Sequence, residues 1–227
     1  NHSDRALVAA DIADLNSQRA TNGEALLNAS LNEIMGDQNL LQFAQANGES
    51  AFGDNCATCH GAGGQGFKGY PALVDNVWIW GGTLDDIEHT IKFGIRQEHP
   101  ESRFSLMPSF GRDQLLTRDQ IRDVTHYVRS KAGLEAESEA SQRGFEVYDI
   151  NCVSCHTAEL TGDRSQGALN LVDGEWLYGS DFTDVYNTIY NARNSEMPAW
   201  HERLDEATVK ALAVYVHSLG GGEKAAS

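Results

Sequence analysis

Two stretches of the sequence place a histidine directly after a pair of cysteines. Residues 54–60 read DNCATCH, and residues 150–156 read INCVSCH. On a helical turn the sulfurs at positions i and i+3 lie on the same side, so both thiols of a pair can react with one flat molecule. The histidine that follows can then turn its ring beneath the same molecule. The order of residues therefore indicates a covalent attachment site.

Three rival uses of paired cysteines explain the pattern less well. A disulfide does not need the histidine, and cysteines three apart on one turn form strained disulfides. A tetrahedral zinc site would have to join two pairs that lie 96 residues apart, far beyond the usual intervals. A thioredoxin-like redox pair belongs in a βαβ setting, for which the sequence shows no strand alternation.

Cys-x-x-Cys-His is the attachment sequence of c-type haem, in which thioether bonds hold the macrocycle and the histidine binds its iron. We therefore expect two covalently bound haem c groups. The residues that hold them are predicted to be the thioether-forming Cys56, Cys59, Cys152 and Cys155 and the iron ligands His60 and His156.

The two motifs belong to an internal repeat. Aligning Cys56 with Cys152 also aligns NVWIWGGTLDDIEHTIKFGIR with GEWLYGSDFTDVYNTIYNARN, and LMPSFG with EMPAWH. We predict two tandem domains, each wrapped around its own haem, because a unit of about 85 residues with few aromatics needs the macrocycle as its core. The predicted divisions are an N-terminal segment 1–40, a first domain 41–135, a second domain 136–222 and a tail 223–227.

Polar starts followed by apolar residues at helical spacing predict an all-α fold. Thr83 and Thr117 have the side chains of helix N-caps, with acidic or amide residues in the following turn. The predicted helices cover residues 42–59, 83–95, 117–131, 181–192 and 205–219. We further expect one set of large apolar residues to pack on haem or in the core: Phe52, Tyr70, Leu73, Trp78, Phe145, Leu169, Leu171 and Trp176.

A second iron ligand decides whether a haem carries electrons or binds a substrate. Met107 and Met197 each precede a proline at matching places in the repeats, so we predict that Met107 binds the first iron and Met197 the second. Two strong protein ligands leave no open site and describe an electron carrier. His126 and His99 are the rival ligands for the first iron.

The composition limits the partners. Seventeen basic and 33 acidic side chains give a formal charge of −16, which repels nucleic acid but attracts a basic protein. Lys68, Lys92, Arg96 and Arg103 make the first repeat less acidic, so charge alone favours the second haem as the place where a donor docks. No apolar stretch is long enough to cross a membrane.

Residues 40–220 resemble tandem class I cytochromes c, and more closely the dihaem subunit III of cbb3-type cytochrome c oxidases. The likeness lies in CATCHGAGGQG, GYPALVDNVWIWGG, MPSFG and LTRDQIRDVTHYV, of which WIWGG is the most specific. The resemblance implies an electron-transfer subunit in the bacterial periplasm, without a catalytic centre of its own. It receives electrons from a soluble or membrane-bound cytochrome c and passes them to other oxidase subunits.

Members of that family normally carry an N-terminal membrane anchor. None is present here, so residues 1–40 are expected to lead from a missing anchor to the haem domains. Two other functions stay open at this point. One is a free periplasmic dihaem electron shuttle. The other is a dihaem peroxidase-like enzyme, which would need one iron without a strong second ligand.

Overall fold

The computed structural model describes residues 4–224, so residues 1–3 and 225–227 of the predicted terminal segments lie outside it. Within the described residues the fold is helical, with four isolated β-bridges and no strand, as the sequence predicted. The helices are α1 (Asp4–Asn28), α2 (Leu31–Gly36), α3 (Gln38–Asn55), α4 (Ala57–His60), α5 (Leu84–Phe93), α6 (Arg118–Lys131), α7 (Glu139–Asn151), α8 (Val153–His156), α9 (Phe182–Asn191) and α10 (Glu206–Ser218).

The predicted helix starts coincide with side-chain caps. The Thr117 hydroxyl accepts a hydrogen bond from the Gln120 backbone N–H, and the Gln120 side-chain oxygen accepts one from the Thr117 N–H, which completes a capping box. Thr83 caps α5 and Asp205 caps α10 in the same way, each accepting from a backbone N–H three residues on. These helices begin where short polar side chains satisfy N–H groups that have no partner inside the helix.

The N-terminal segment forms helices that the sequence pattern did not predict. Leu26, Leu31 and Ile34 are buried in the core around α10. Lys210 of α10 donates from Nζ to the carbonyls of Leu27 and Ala29, both at 2.8 Å, at the C-terminal end of α1. A lysine at this place satisfies carbonyls that lack intrahelical partners. The end of α1 is therefore fixed to the rest of the chain.

The last helix of each repeat packs on the cysteine helix of the other repeat. Helix α10 packs against α3 and α5, and helix α6 packs against α7 and α9. We call α2–α5 with α10 the first unit and α6–α9 the second unit. Each unit has its own buried cluster. The repeats predict two self-contained domains, 41–135 and 136–222, whereas in the structure the last helix of each repeat packs on the other repeat.

Two glycines mark the equivalent helix crossings. A Cβ on Gly48 of α3 would lie 2.3 Å from the carbonyl oxygen of Ala211, and a Cβ on Gly144 of α7 would lie 2.1 Å from that of Asp123. The two crossings therefore have the same close geometry, and each joins one repeat to the other. We call this arrangement exchanged, because the last helix of each repeat packs on the other repeat. Since the repeats are alike, a last helix is expected to make similar contacts on either repeat, as in domain swapping.

The linker favours the exchanged arrangement. Helix α6 ends at Lys131 and α7 begins at Glu139. A connection this short brings consecutive helices together as an antiparallel pair. Once α6 packs on α7, the cysteine helix α3 needs another partner, and α10 supplies it.

The C-terminal residues return to the first repeat. The Trp78 Nε1–H donates to the carbonyl of Gly221 at 2.6 Å, and Glu223 exchanges hydrogen bonds with Gly82. The Glu223 carboxylate also accepts from Arg164 of the second repeat at 2.8 Å. Part of the predicted tail is thus a structural connection between repeats. None of the described helices is long and apolar enough to cross a membrane.

Candidate haem-attachment sites

Each cysteine pair lies on a single helical turn. The N–H of Cys59 donates to the carbonyl of Cys56 at 3.1 Å, and the N–H of Cys155 donates to that of Cys152 at 3.2 Å. All four cysteines are free thiols. Both sulfurs of each pair are therefore presented from one turn, as attachment to one molecule requires.

A backbone carbonyl orients the histidine of each motif. The Nδ1 of His60 lies 3.0 Å from the carbonyl of Pro71, and the Nδ1 of His156 lies 3.0 Å from that of Leu169. Because a carbonyl only accepts, Nδ1 must carry a proton, and in the neutral imidazole Nε2 is then unprotonated. Such an outer hydrogen bond fixes tautomer and ring orientation in histidines that bind a metal.

A glycine-rich loop brings the Pro71 carbonyl under the first histidine. The N–H of Gly66 donates to the carbonyl of His60 at 2.7 Å, and the N–H of Leu73 donates to that of Gly64 at 2.7 Å. Gly66 has φ of +69°, and a Cβ there would lie 2.6 Å from the backbone of Tyr70 and Ala72. Only glycine permits so tight a return of the chain.

Burial sets the protonation of these groups. It raises the pKa of the Cys56 thiol to about 11 and that of Cys152 to about 12, with a smaller contribution from the second cysteine of each pair. It lowers the pKa of His60 and of His156, against the opposing effect of the carbonyl hydrogen bonds. Both imidazoles are therefore neutral near pH 7, which is the form that binds iron.

The methionines lie in the opposite units from those expected. Met197 packs on the first cluster together with Cys56 and Trp78, and Met107 packs on the second cluster together with Cys152. Each methionine precedes the last helix of its repeat in the chain and lies in the same unit as that helix. Met197 thus shares a cluster with Cys56 and Met107 shares one with Cys152, whereas the sequence repeats predict the opposite pairing.

The segments that carry the methionines cross one another. Ile95 and Met197 exchange backbone hydrogen bonds of 3.0 and 3.1 Å. The Asn194 side chain accepts from the Met107 N–H at 3.0 Å and donates to the Met107 carbonyl at 3.1 Å. Backbone bonds from Phe110 to Ile189 and from Trp200 to Ile91 continue the same crossing on its two sides. Both methionine positions are therefore held by residues of the other repeat.

The rival histidines are engaged elsewhere. His126 lies on α6 in the second unit, and its Nδ1 is 2.6 Å from a carboxylate oxygen of Glu135. His99 stacks on Phe93 with ring centroids 4.6 Å apart, and its Nδ1 accepts from the Glu101 N–H at 3.1 Å. Neither contact places a histidine beside Cys56.

The apolar surroundings of the sites match only part of the predicted packing set. Phe52 is fully buried, whereas Leu73 and Trp78 are half-buried against the first cluster and Leu171 and Trp176 against the second. Tyr70 is 48% exposed and Phe145 is 51% exposed, so neither lies in the protein core. Because α7 presents Phe145 outward beside Tyr127, it covers the helix crossing from outside.

The residues fit a covalently bound haem. Two thiols on one turn, a histidine with a free Nε2 and a methionine on the same cluster form the donor set of a c-type haem in each unit. Among residues 4–224, no group of three or more His, Cys, Asp or Glu could hold a bare metal ion. The helical fold and the two sites define a protein of the cytochrome c class.

Comparison with known proteins narrows that class. Residues 45–132 match the family model described as cytochrome c, and residues 139–216 match the one described as cytochrome c oxidase, cbb3-type, subunit III. The chain belongs to the family of cbb3-type cytochrome c oxidase subunits named FixP and CcoP. The family predicted from the sequence is therefore confirmed.

Three relatives illustrate the similarity. The FixP subunit of Bradyrhizobium diazoefficiens is 47% identical over 98% of this chain and 77% of its own length. The CcoP subunit of Azospirillum sp. (strain B510) is 46% identical over 98% of this chain and 78% of its own. The CcoP subunit of Cereibacter sphaeroides is 44% identical over 98% and 77%.

Proposed function

We propose that the chain binds two covalent haem c groups and relays electrons from a donor cytochrome c to the catalytic subunit of a cbb3-type oxidase. As a member of the family, it is an electron-transfer subunit. The observation that carries the proposal is the pair of equivalent sites, each combining a carbonyl-oriented histidine with a methionine from the other repeat.

We propose that the protein supplies two side-chain ligands to each haem iron, so that no ligand position is open to a substrate. Bound haem supplies one-electron chemistry, and methionine with histidine as axial ligands raises its reduction potential. In this chain His60 with Met197, and His156 with Met107, are the proposed ligand pairs. These side chains would fill both ligand positions of each iron and leave none for a substrate, so we propose that the chain has no catalytic centre of its own.

Carbon monoxide tests this closed arrangement. The reduced, haem-loaded protein should show no change in its absorption spectrum on adding carbon monoxide, because both positions are filled. Met107→Ala should give a carbon monoxide complex at one haem and leave the other unaffected. A wild-type protein that binds carbon monoxide rapidly at either haem would favour the peroxidase-like alternative instead.

The number of haems has its own test. Replacing Cys152 and Cys155 together by alanine should reduce covalently bound haem from two per chain to one, because each thiol pair is the only attachment point of its unit. The pyridine haemochrome spectrum and the intact mass of the chain measure this directly. A chain that keeps two covalent haems, or a wild type that holds one, contradicts the assignment.

We place the subunit on the periplasmic side of the bacterial inner membrane, in a complex with the other oxidase subunits. Covalent haem attachment takes place outside the cytoplasm, which supports this location. The relatives bear the names of oxidase subunits, which supports the assembly.

Ion pairs engage several of the basic side chains in the first repeat. Lys68 pairs with Asp184 at 2.6 Å, Arg103 pairs with Asp86 at 2.9 Å, and Lys92 lies between two glutamates. Three of the four cations named for the first repeat are therefore paired with carboxylates, which reduces the charge contrast between the repeats.

The outer faces of the two cysteine helices differ instead. Glu49 and Asp54 are exposed on α3, whereas the aligned residues on α7 are Phe145 and Ile150, the latter 79% exposed. Carboxylates at the rim of an interface steer a basic partner. We therefore propose that a basic donor cytochrome c docks beside the first site.

Salt dependence tests the docking. Reduction by a basic cytochrome c should slow steeply from low to physiological salt, since exposed charges are screened beyond about 8 Å there. At low salt Asp54→Lys should slow it by roughly two- to fivefold, in line with the effect of one rim charge. Glu159→Lys, an exposed charge change beside the second site, serves as the control and should leave the rate near that of the wild type.

Other outcomes of this experiment contradict the docking proposal in different ways. A rate that does not depend on salt would make the acidic surface a matter of solubility only. A larger effect of Glu159→Lys than of Asp54→Lys would move the docking face to the second site.

A further inference from the structure

Arg96 lies where the two methionine segments cross, and it contacts both of them. Its Nε donates to the carbonyl of Ser105 at 2.8 Å, and its Nη1 donates to the carbonyl of Ser195 at 2.5 Å. Ser105 and Ser195 each stand two residues before a methionine, Met107 and Met197. One guanidinium group therefore binds both repeats at equivalent positions.

The backbone of Arg96 has an unfavourable conformation. Its φ is +58°, in the left-handed region that residues other than glycine seldom adopt. The aligned residue of the second repeat, Asn194, does not have a positive φ. Such strain persists only where surrounding contacts impose it, and it is concentrated at positions with a functional task. We attribute the positive φ of Arg96 to the contacts where the two methionine segments cross, because the aligned residue of the other repeat does not share it.

The surroundings strengthen the two hydrogen bonds. Burial lowers the pKa of Arg96, with Tyr178 and Glu196 acting in the opposite direction. Hydrogen bonds from a charged donor are stronger than neutral ones, and partial removal from water increases their weight. Arginine suits this place because two separate nitrogens of its planar fork, Nε and Nη1, each meet one carbonyl, whereas lysine has a single nitrogen that would have to lie within reach of both.

We infer that Arg96 is a positioning residue that fixes both methionine segments, so that the axial ligation of the two irons depends on one side chain. The inference rests on the proposed function, in which Met107 and Met197 are iron ligands. Through Arg96, methionine ligation at one iron would be linked to methionine ligation at the other, although the two irons have separate ligands.

Two neighbours supply matched comparisons. The Asn194 side chain contacts the backbone of Met107 only, so its loss should affect one site. Arg193 is exposed, and its guanidinium lies over the Tyr178 ring at 5.5 Å, while the hydrogen bonds at this residue use its backbone carbonyl. Arg193→Gln removes the same charge nearby and should affect neither site.

The experiment uses the haem-loaded chain and two readouts at each haem. These are the near-infrared absorption band of methionine sulfur bound to ferric iron, and the reduction potential. Arg96→Gln should weaken the band and lower the potential at both haems, with the ligation equilibrium shifted roughly tenfold for each charge-assisted hydrogen bond lost. Asn194→Ala should change the Met107 haem alone, and Arg193→Gln should match the wild type. Arg96→Lys, which keeps the charge but not the fork, should resemble Arg96→Gln.

A glycine variant separates positioning from folding. Arg96→Gly relieves the strain of a positive φ, so it should unfold at a higher temperature than Arg96→Gln yet lose the methionine bands to the same degree. The inference is overturned if Arg96→Gly or Arg96→Lys keeps both bands at wild-type strength, or if Arg96→Gln changes one haem only. Wild-type protein that lacks the bands would overturn the proposed ligands themselves, which distinguishes the two failures.

Discussion

Replacing Met197 by alanine should remove the second iron ligand from the haem that we propose is attached at Cys56 and Cys59, and not from the haem of its own repeat. Met197 packs on the first cluster with Cys56, and its backbone is paired with Ile95 of the first repeat. A thioether ligand stabilises ferrous iron, so the first haem should lose its near-infrared methionine band and fall in reduction potential. The second haem should keep both properties.

A chain with one haem shows which iron is affected. In a protein carrying Cys152→Ala and Cys155→Ala, only the first haem remains, and Met197→Ala should abolish the methionine band completely. Met107→Ala in the same background is the matched control and should leave the band intact. The reverse result would mean that ligation follows the sequence repeats and that the exchange seen in the packing does not extend to the irons.

Local signals were sufficient to predict most of the helices. Thr83, Thr117 and Asp205 begin α5, α6 and α10 within one residue of the expected starts, because N-cap chemistry involves only the next three residues. The predicted cysteine helix, 42–59, is divided in the structure between α3 and α4 at Cys56. The division places the cysteine pair on a turn of its own.

The exchange between repeats could not be read from the same signals. Gly48 and Gly144 occupy aligned positions, and each allows the close approach of a last helix, so the glycine pattern does not distinguish the two pairings. Sequence similarity between the repeats makes the two pairings nearly equal in contacts, so the deciding factor is the length of the connection between α6 and α7. When two helices present nearly the same packing face, a short connection decides which partner each helix packs against.

The N-terminal helices show a different limit. Helix α1 carries Leu7, Val8 and Ile12 in exposed positions, whereas Leu26, near its C-terminal end, is buried in the core. A helix with so weak a division between apolar and polar faces gives little periodic signal. Its attachment depends on Lys210, which is distant in sequence, and no local pattern reveals that contact.

The exchange also makes the two sites dependent on each other for stability. The first unit needs α10 and the segment of Met197, and the second needs α6 and the segment of Met107. Neither repeat contains a complete site on its own. A change at one helix crossing therefore acts on both repeats, and the glycines at the crossings are the places where a single methyl group tests this most directly.

Gly48→Ala should destabilise the protein, whereas Gly53→Ala, the same change in the same helix, should stabilise it slightly. A methyl group at Gly48 would lie 2.3 Å from the Ala211 carbonyl oxygen and 2.5 Å from the Tyr215 Cβ, while one at Gly53 meets nothing within 4 Å. Overpacking at a helix crossing costs about 1–3 kcal/mol. The exposed helical site gains up to about 1 kcal/mol from alanine instead of glycine.

Thermal and denaturant unfolding of the haem-loaded variants measure the difference. In a chain of this size, 1 kcal/mol corresponds to a shift of roughly 2–4 °C in melting temperature. The first haem should also lose methionine ligation earlier on heating in Gly48→Ala, because α10 and the segment of Met197 move together. Gly144→Ala should repeat the result at the second haem, since its methyl group would meet the Asp123 carbonyl. If Gly48→Ala and Gly53→Ala were equally stable, the close crossing of α3 and α10 at Gly48 would have to be abandoned.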